Sequence, residues 1–401
     1  MSSKNCLSQV TERYQAALDF HSQGDVEQAI GLYFEVLKEF PEADVVMYNL
    51  GLALYESGEF LAAKESFERA IAVNSGEVDY WFNLALSCKK TDCLKETVTA
   101  YRQALELSPD DMEILYSFGC YCQDIGALEE AVLLYSHILE QDSSYIPAVN
   151  NLAYIHHLLD NHKEAEKLYH LLLKLNPDHA GAEYMLAAIQ GNALEAPPEE
   201  YVKSLFDQYS DDFENNLLED LEYRAPEKLW ELFNKNRRRQ AYAHTLDLGC
   251  GTGLCGLFFH GVTRSLDGID LSPKMIERAR EKNIYTFLQD TDMLKYLKRT
   301  EKKYDLFLAA DVFIYLGELD PLFAALHKVA LPGAHVLFSV EDSHEVAWQL
   351  QSNGRYSHNH EYIMSMADGY AFTLVAREKT ELRKEKGEGV AGLLYFLEKT
   401  S

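Results

Sequence analysis

The sequence predicts two architectures in tandem: an all-α stack of helical repeats, then a doubly wound, mainly parallel α/β sheet. Two observations carry this. Small residues on one helix face return every 34 positions through the first half. Strand-length and helix-length segments alternate through the second, with glycines and acids at the strand ends. Between the halves, Pro197-Pro198 interrupts helical periodicity.

The 401 residues suffice for two to three domains. Content that is 47% apolar and 25% charged provides ordinary globular cores. Thirty-seven basic residues face 64 acidic ones, a net charge of −27. Residues 1–195 hold 12 basic and 31 acidic side chains, the remainder 25 and 33. Such a balance argues against non-specific binding to nucleic-acid phosphates or to an anionic membrane. The opening segment has no apolar signal-peptide core, and no stretch approaches ~18 uninterrupted apolar residues. A cytoplasmic location is therefore expected. Seven cysteines are too sparse and uneven for a disulfide framework. The close pairs Cys88/Cys93 and Cys120/Cys122 lack a matching His or Cys pair at zinc spacing, so no metal is expected.

Three series keep the 34-residue step across five units, residues 10–179. Ala17, Gly51, Ala85, Gly119 and Ala153 form the first, and Ala29, Ala63, Thr97, Ala131 and Ala165 the second. Tyr33, Phe67, Tyr101, Tyr135 and Tyr169 form the third. Pro41, Pro109 and Pro177 close three units, Ser75 and Ser143 the other two. The pattern resembles the tetratricopeptide repeat (TPR), a helix-turn-helix unit that stacks into a superhelix. In each unit the small residue lets two helices approach while the aromatic fills the space beside it. Gly24, Gly58 and Gly126 fall between the helices, where a residue free to adopt positive φ stops the first. Asp92 and Asp160 replace glycine in the third and fifth units. A helix over 180–192 caps the stack.

At ~100° per residue, Met47, Leu50, Gly51 and Leu54 share the buried face, and Tyr48, Leu52 and Tyr55 point away from it. In the repeat family that second face lines a concave groove. It would carry Tyr14, Tyr48, Phe82, Tyr116 and Asn150, beside an amide ladder of Asn49, Asn83 and Asn151 able to hydrogen-bond an extended backbone. Two readings stand. Either a protein or peptide partner covers the groove, or neighbouring helices and the second domain fill it. Lys89 and Lys90 are too isolated to clamp a C-terminal carboxylate, Cys88 and Cys122 read as core packing, and His156 and His157 as packing or groove residues.

Residues 1–9 read as a tail, 10–192 as five repeats with a capping helix, 193–200 as a linker and 201–401 as the second domain. Helices are predicted over 201–222 and 225–239, the second entered through Pro226 and closed by the cationic run Arg237-Arg238-Arg239. Strands are predicted over 245–248, 264–270, 284–289, 304–310 and 334–340. A terminal antiparallel pair is predicted at 371–376 and 390–397.

The chemical signal is Asp247-Leu248-Gly249-Cys250-Gly251-Thr252-Gly253, at the end of the first strand. Glycine at every second place allows a turn against which a ligand presses closely, with backbone N–H groups directed at it. A dinucleotide fingerprint would place its third glycine at Leu254 instead. The spacing behind an acid resembles the S-adenosylmethionine-binding loop of class I methyltransferases, a Rossmann-like fold. Asp270 in Gly268-Ile269-Asp270-Leu271-Ser272-Pro273 stands where that family accepts both ribose hydroxyls, and Asp290 where it holds the adenine amino group. Asp311 ends the fourth strand beside the sulfonium, and Leu331-Pro332-Gly333 turns into the fifth. The resemblance implies a cofactor-binding set of Tyr209, Asp247, Gly249, Cys250, Gly251, Gly253, Asp270, Leu271, Met275, Asp290, Thr291 and Asp311. For Cys250 only the backbone is implicated.

Across its whole length the chain is similar to predicted methyltransferases that carry tetratricopeptide repeats ahead of the catalytic domain. The matching pieces include Leu205-Phe206-Asp207-Gln208-Tyr209-Ser210, Leu221-Glu222-Tyr223-Arg224-Ala225-Pro226, Gly354-Arg355-Tyr356-Ser357-His358 and Gly389-Val390-Ala391-Gly392-Leu393. The resemblance implies that the 206–213 helix is a lid. Methyl transfer from a sulfonium is an in-line displacement that needs proximity and exclusion of water, with a base for some acceptors. Asp311-Val312-Phe313-Ile314-Tyr315 is not the Asn-Pro-Pro-Tyr tetrad of adenine or glutamine amide methylation. Tyr315, Arg355 and His358 are the catalytic candidates: Arg355 for an anionic acceptor group, His358 for a proton. The Arg355–His358 cluster either roofs the acceptor or forms a structural clasp. Tyr356 and Arg224 are substrate candidates, with cofactor carboxylate and fold anchoring also open for Arg224. Three functions follow: a methyltransferase whose arm recruits a protein, a small-molecule methyltransferase docked by its arm, or a non-catalytic adaptor.

Overall fold

The computed structural model describes residues 2–192, 194, 196–209, 222–343, 346–385 and 388–400, with side chains except at 2–8, 204–205 and 207–209. The chain divides into two compact units, residues 1–160 and 161–401.

The first unit is all helical: α1 (Ser2–Ser22), α2 (Val26–Glu39), α3 (Asp44–Glu56), α4 (Phe60–Val73), α5 (Val78–Lys90), α6 (Leu94–Leu107), α7 (Met112–Asp124), α8 (Leu128–Gln141) and α9 (Ile146–Leu158). Helix α1 starts inside the stretch read as a tail. The small and aromatic series are buried in every repeat. Their pairing is steric: a Cβ at Gly51 would lie 2.5 Å from the Phe67 ring, and one at Gly119 2.7 Å from the Tyr135 ring. The inter-helix turns at Gly24, Gly58 and Gly126 have positive φ, and so do Asp92 and Asp160. Aspartate therefore adopts the left-handed conformation that the 34-residue register imposes.

The second unit opens with α10 (His162–Leu175), α11 (Ala180–Gln190) and α12 (Glu199–Tyr209). Helices α10 and α11, which the repeat pattern joins to the stack, thus lie in the same compact unit as the sheet. Tyr184 donates to the Gly354 carbonyl at 2.8 Å, and Tyr356 to the Leu194 carbonyl at 2.7 Å. Then follow α13 (Ala225–Asn236), β1 (Thr245–Leu248), α14 (Leu254–Phe259), β2 (Leu266–Asp270), α15 (Pro273–Glu281), β3 (Phe287–Asp290), α16 (Met293–Arg299) and β4 (Tyr304–Ala309). The chain ends with α17 (Asp320–Val329), β5 (Ala330–Asp342), β6 (Trp348–Leu350), β7 (Tyr356–His358), α18 (His360–Gly369), β8 (Phe372–Glu385) and β9 (Glu388–Lys399).

Strands β3, β2, β1, β4 and β5 pair in that order, all parallel. Strand β9 adds antiparallel to β5 over 335–341 with β8 outside it, and the tip of β5 pairs parallel with β7. Period-2 alternation buries both faces. Leu246, Phe307, Val336 and Phe338 form one core, and Leu306, Leu308, Leu337 and Phe396 the other with α13 and α14. The carboxyl ends of β1 to β4 therefore share one edge of the sheet, at which an open α/β fold binds its ligands.

Candidate functional site

The turn after β1 places its three glycines in the left-handed region: Gly249, Gly251 and Gly253 have φ of 60°, 52° and 94°. Their uses differ. A Cβ at Gly249 would lie 2.6 Å from Val312, beyond the end of β4, and one at Gly253 3.0 Å from the Tyr285 ring. Around a Cβ at Gly251 none of the described residues stands within 4 Å. The sequence reads all three glycines as ligand clearance; the structure leaves that role to Gly251, while the other two admit neighbouring side chains. Helix α14 spans only six residues, so its dipole is short.

Asp270, half-buried at the end of β2, braces this turn. Its Oδ2 accepts from Gly251 N at 2.8 Å and its Oδ1 from Ser272 N at 2.9 Å. Ser272 caps α15 through Met275 N, and Met275 is wholly buried. Leu271 is half-buried beside them. Asp290 lies opposite Asp270 across the β2–β3 ladder, exposed on the edge strand, and Thr291 N donates to the Asp270 carbonyl at 2.7 Å. Asp247 is 1% exposed and accepts from the Tyr285 hydroxyl at 2.7 Å. Burial raises its pKa to about 7. Cys250 and Cys255 are buried, and burial pushes both thiols well above their usual range.

The crevice fits S-adenosylmethionine on two features of its own. Among the described residues nothing lies within 4 Å of a Cβ at Gly251, and the buried Thr252 hydroxyl has no hydrogen-bond partner.

Beyond β4 the site departs from the sequence reading. Asp311 has φ of 57°, and its carboxylate is drawn away by Arg383, whose Nη1 lies 2.7 Å from Oδ2. Ser339 donates to its Oδ1 and accepts from its N–H. Arg383, 3% exposed on β8, also meets Glu341 on β5 and Glu385, the latter at 2.8 Å. Arg355 pairs with the same Glu385. Asp311 is therefore part of an ion cluster in which each of its carboxylate oxygens accepts a hydrogen bond. The signal that could have found this cluster is the alternation Lys379, Glu381, Arg383, Glu385, which is a strand pattern although every member is charged.

Three further candidates move. His358 is wholly buried, its Nε2 donates to the Gly317 carbonyl at 3.0 Å, and burial lowers its pKa to about 4. It is enclosed and a weak base, so it is not placed to take a proton from an acceptor at the surface. Tyr356 is wholly buried and its hydroxyl is spent on Leu194, so it does not touch substrate. Arg224 is exposed and paired with Glu227 at 2.8 Å, a local surface contact. Tyr315 stays half-buried with its ring edge-on to Phe206, centroids 5.4 Å apart. The Tyr209 side chain and residues 210–213 of the expected lid lie outside the described residues, as do 214–221.

In the first unit Tyr48, Asn49, Phe82, Asn83, Tyr116 and Asn151 are half-buried. The amide ladder does not offer free donors. Asn49 donates to the Tyr14 hydroxyl at 2.8 Å and to the Val45 carbonyl, and Asn83 to the Tyr48 hydroxyl at 3.2 Å and to the Asp79 carbonyl. Asn151 donates to Tyr135 at 3.0 Å. These amides stitch one repeat to the next. Among the described residues no group of three His, Cys, Asp or Glu side chains is placed to hold a metal ion, and no helix is long and apolar enough to cross a membrane.

Residues 245–333 match the family model described as a methyltransferase domain. Tetratricopeptide-repeat models match 14–61 and 48–88, and 78–111 and 146–179. A "Ubiquinone biosynthesis O-methyltransferase" of Proteus mirabilis is 25% identical over 126 residues, 30% of this chain and 49% of that protein. A "Malonyl-[acyl-carrier protein] O-methyltransferase 1" of Ilyobacter polytropus is 28% identical over 116 residues, 27% of this chain and 41% of that one. The chain thus spans half or less of the curated relatives it matches. The crystal structure of the N-methyltransferase NodS from Bradyrhizobium japonicum WM9 with S-adenosyl-L-homocysteine aligns at a TM-score of 0.42 and 20% identity, covering 50% of this chain and 98% of that one.

Proposed function

We propose that this chain, a tetratricopeptide-repeat protein with a class I S-adenosylmethionine-dependent methyltransferase domain, methylates an acceptor that its helical arm recruits. The observation that carries the proposal is the crevice at Gly251. An open left-handed glycine and the Asp270 carboxylate that accepts from its N–H meet there at the carboxyl edge of a parallel sheet.

Bound S-adenosylmethionine supplies an electrophilic methyl group on a sulfonium. The chain's own contribution is binding and exclusion of water. Asp270 would accept from the ribose hydroxyls. The Gly249–Gly253 turn would lie against the methionine portion, with Asp247 as the charge behind it. Asp290, Leu271, Met275 and Thr291 would border the adenine. Tyr315, half-buried against Phe206, would shield the reacting centre. The half-buried aromatics Tyr48, Phe82 and Tyr116 would take an apolar stretch of a protein partner, with Asn49, Asn83 and Asn151 keeping the repeats in register. The free thiols fit a reducing, cytoplasmic setting.

A second reading, methylation of a small-molecule oxygen by a domain that the arm only docks, is favoured by the name of the ubiquinone-biosynthesis relative. Labelled methyl groups separate the two. Cell extract is incubated with labelled S-adenosylmethionine and either the full chain or residues 161–401. Label in protein bands that disappears with the short form supports recruitment. Equal labelling of a small metabolite by both forms supports docking, and no labelling by either leaves a non-catalytic adaptor.

A further inference from the structure

A tyrosine outside the glycine motif holds the turn from behind. Tyr285, between α15 and β3, lays its ring across glycines from three segments. A Cβ at Gly253 would lie 3.0 Å from the ring and one at Gly268 2.8 Å from it, while one at Gly256 would collide with the hydroxyl. The slot admits this ring because all three positions lack a side chain. From it the hydroxyl donates to Asp247 Oδ2 at 2.7 Å, and Asp247 is buried two residues ahead of Gly249.

We propose that Tyr285 is a positioning residue for the methyl donor, fixing the three-glycine turn and holding Asp247 behind it as a carboxylate. This rests on the S-adenosylmethionine reading of the crevice. A buried carboxylate stays ionised only where a donor meets it. Burial raises the Asp247 pKa to about 7, the Tyr285 hydrogen bond opposes that rise, and Asp270 adds to it. The other titratable groups facing Asp247 are Tyr223, Cys250 and Cys255, and burial pushes all three well above their ordinary range, as it does Tyr285 itself. S-adenosylmethionine carries a sulfonium and an ammonium against one carboxylate, a net cation. It binds more tightly to a turn backed by an anion.

The test is calorimetric affinity for S-adenosylmethionine from pH 6 to 9, using the full chain, Tyr285→Phe and Tyr285→Leu. Thermal unfolding of the cofactor-free proteins is followed over the same range. Tyr285→Phe keeps the ring and removes the donor, so Asp247 holds its proton to higher pH. We expect binding about fivefold weaker at pH 7, returning to within about twofold of the parent at pH 9, an acid limb displaced by about one pH unit. Tyr285→Leu empties the slot and should weaken binding at every pH. Without cofactor, the Tyr285→Phe destabilisation should grow as pH rises through 7, where an ionised carboxylate lacks its donor. A Tyr285→Phe profile parallel to the parent's, in a parent that binds, overturns the proposal and leaves the cofactor reading standing. Absence of binding by the parent overturns the cofactor reading. The unfolding series then decides the role of Tyr285: destabilisation independent of pH refutes it, and growth through pH 7 supports it.

Discussion

Positions 24, 58, 92, 126 and 160 hold φ between 54° and 84°, three as glycine and two as aspartate. The left-handed conformation is free for glycine and unfavourable for a residue with a Cβ, by up to roughly 1–2 kcal/mol. Asp92→Gly should therefore stabilise the arm by about 0.5 kcal/mol, less than the full relief because glycine also loosens the unfolded chain. Asp92→Val should destabilise it by at least ~1 kcal/mol. Urea unfolding of the two variants checks this, and equal stabilities would mean that the turn does not impose its backbone. At the same scale, the glycines after β1 show how one motif divides its labour. A Cβ at Gly251 would meet none of the described residues within 4 Å, while Gly249 makes room for Val312 and Gly253 for Tyr285.

Among elements, the least obvious in sequence is the charged end of β8. Arg383 Nη1 meets Asp311 at 2.7 Å and its Nε meets Glu385 at 2.8 Å, while Glu341 takes Nη2. Its guanidinium joins β8 to β5 and to the end of β4. Replacing it with methionine leaves buried carboxylates without a partner, and Arg383→Met should cost about 3–5 kcal/mol in denaturant unfolding. Adding Glu341→Gln to that variant should recover part of the loss; an unchanged loss in the double variant would contradict the cluster's role.

Legibility follows from the same chemistry. Strands β1, β2, β4 and β5 are legible because both their faces are buried and their residues read as apolar runs. The 34-residue series is legible because steric pairing of small with aromatic residues repeats without a slip. Strand β8 is not legible past Ala376, since its charges at alternate places look like a solvated loop until a partner lies opposite. Strands β6 and β7 are three residues each, within a segment of Ser, Asn and Gly, too short for any period. That Asp247, Asp270 and Asp290 lie towards the strand ends is legible from motif spacing, whereas the burial of His358 and Tyr356 is not, because spacing carries no burial.

Taken whole, the molecule is an acidic chain of net charge −27 in two compact units, one wholly helical and one built on a mainly parallel sheet. Its acidity fits a cationic methyl donor and a partner that is not a polyanion. The division after Asp160 makes 161–401 the fragment to compare with the full chain. A cut at 195 would strip Tyr184 and Leu194 from the β6–β7 hairpin that they hold. The most direct measurement is a calorimetric titration of the full chain with S-adenosylmethionine, run beside Asp270→Ala and beside a nicotinamide dinucleotide. The account predicts one saturable site per chain, weakened by about 1–3 kcal/mol in Asp270→Ala through loss of hydrogen bonds to a charged group, and no binding of the dinucleotide. Silence toward S-adenosylmethionine, unchanged affinity in Asp270→Ala, or saturation by the dinucleotide instead would contradict it.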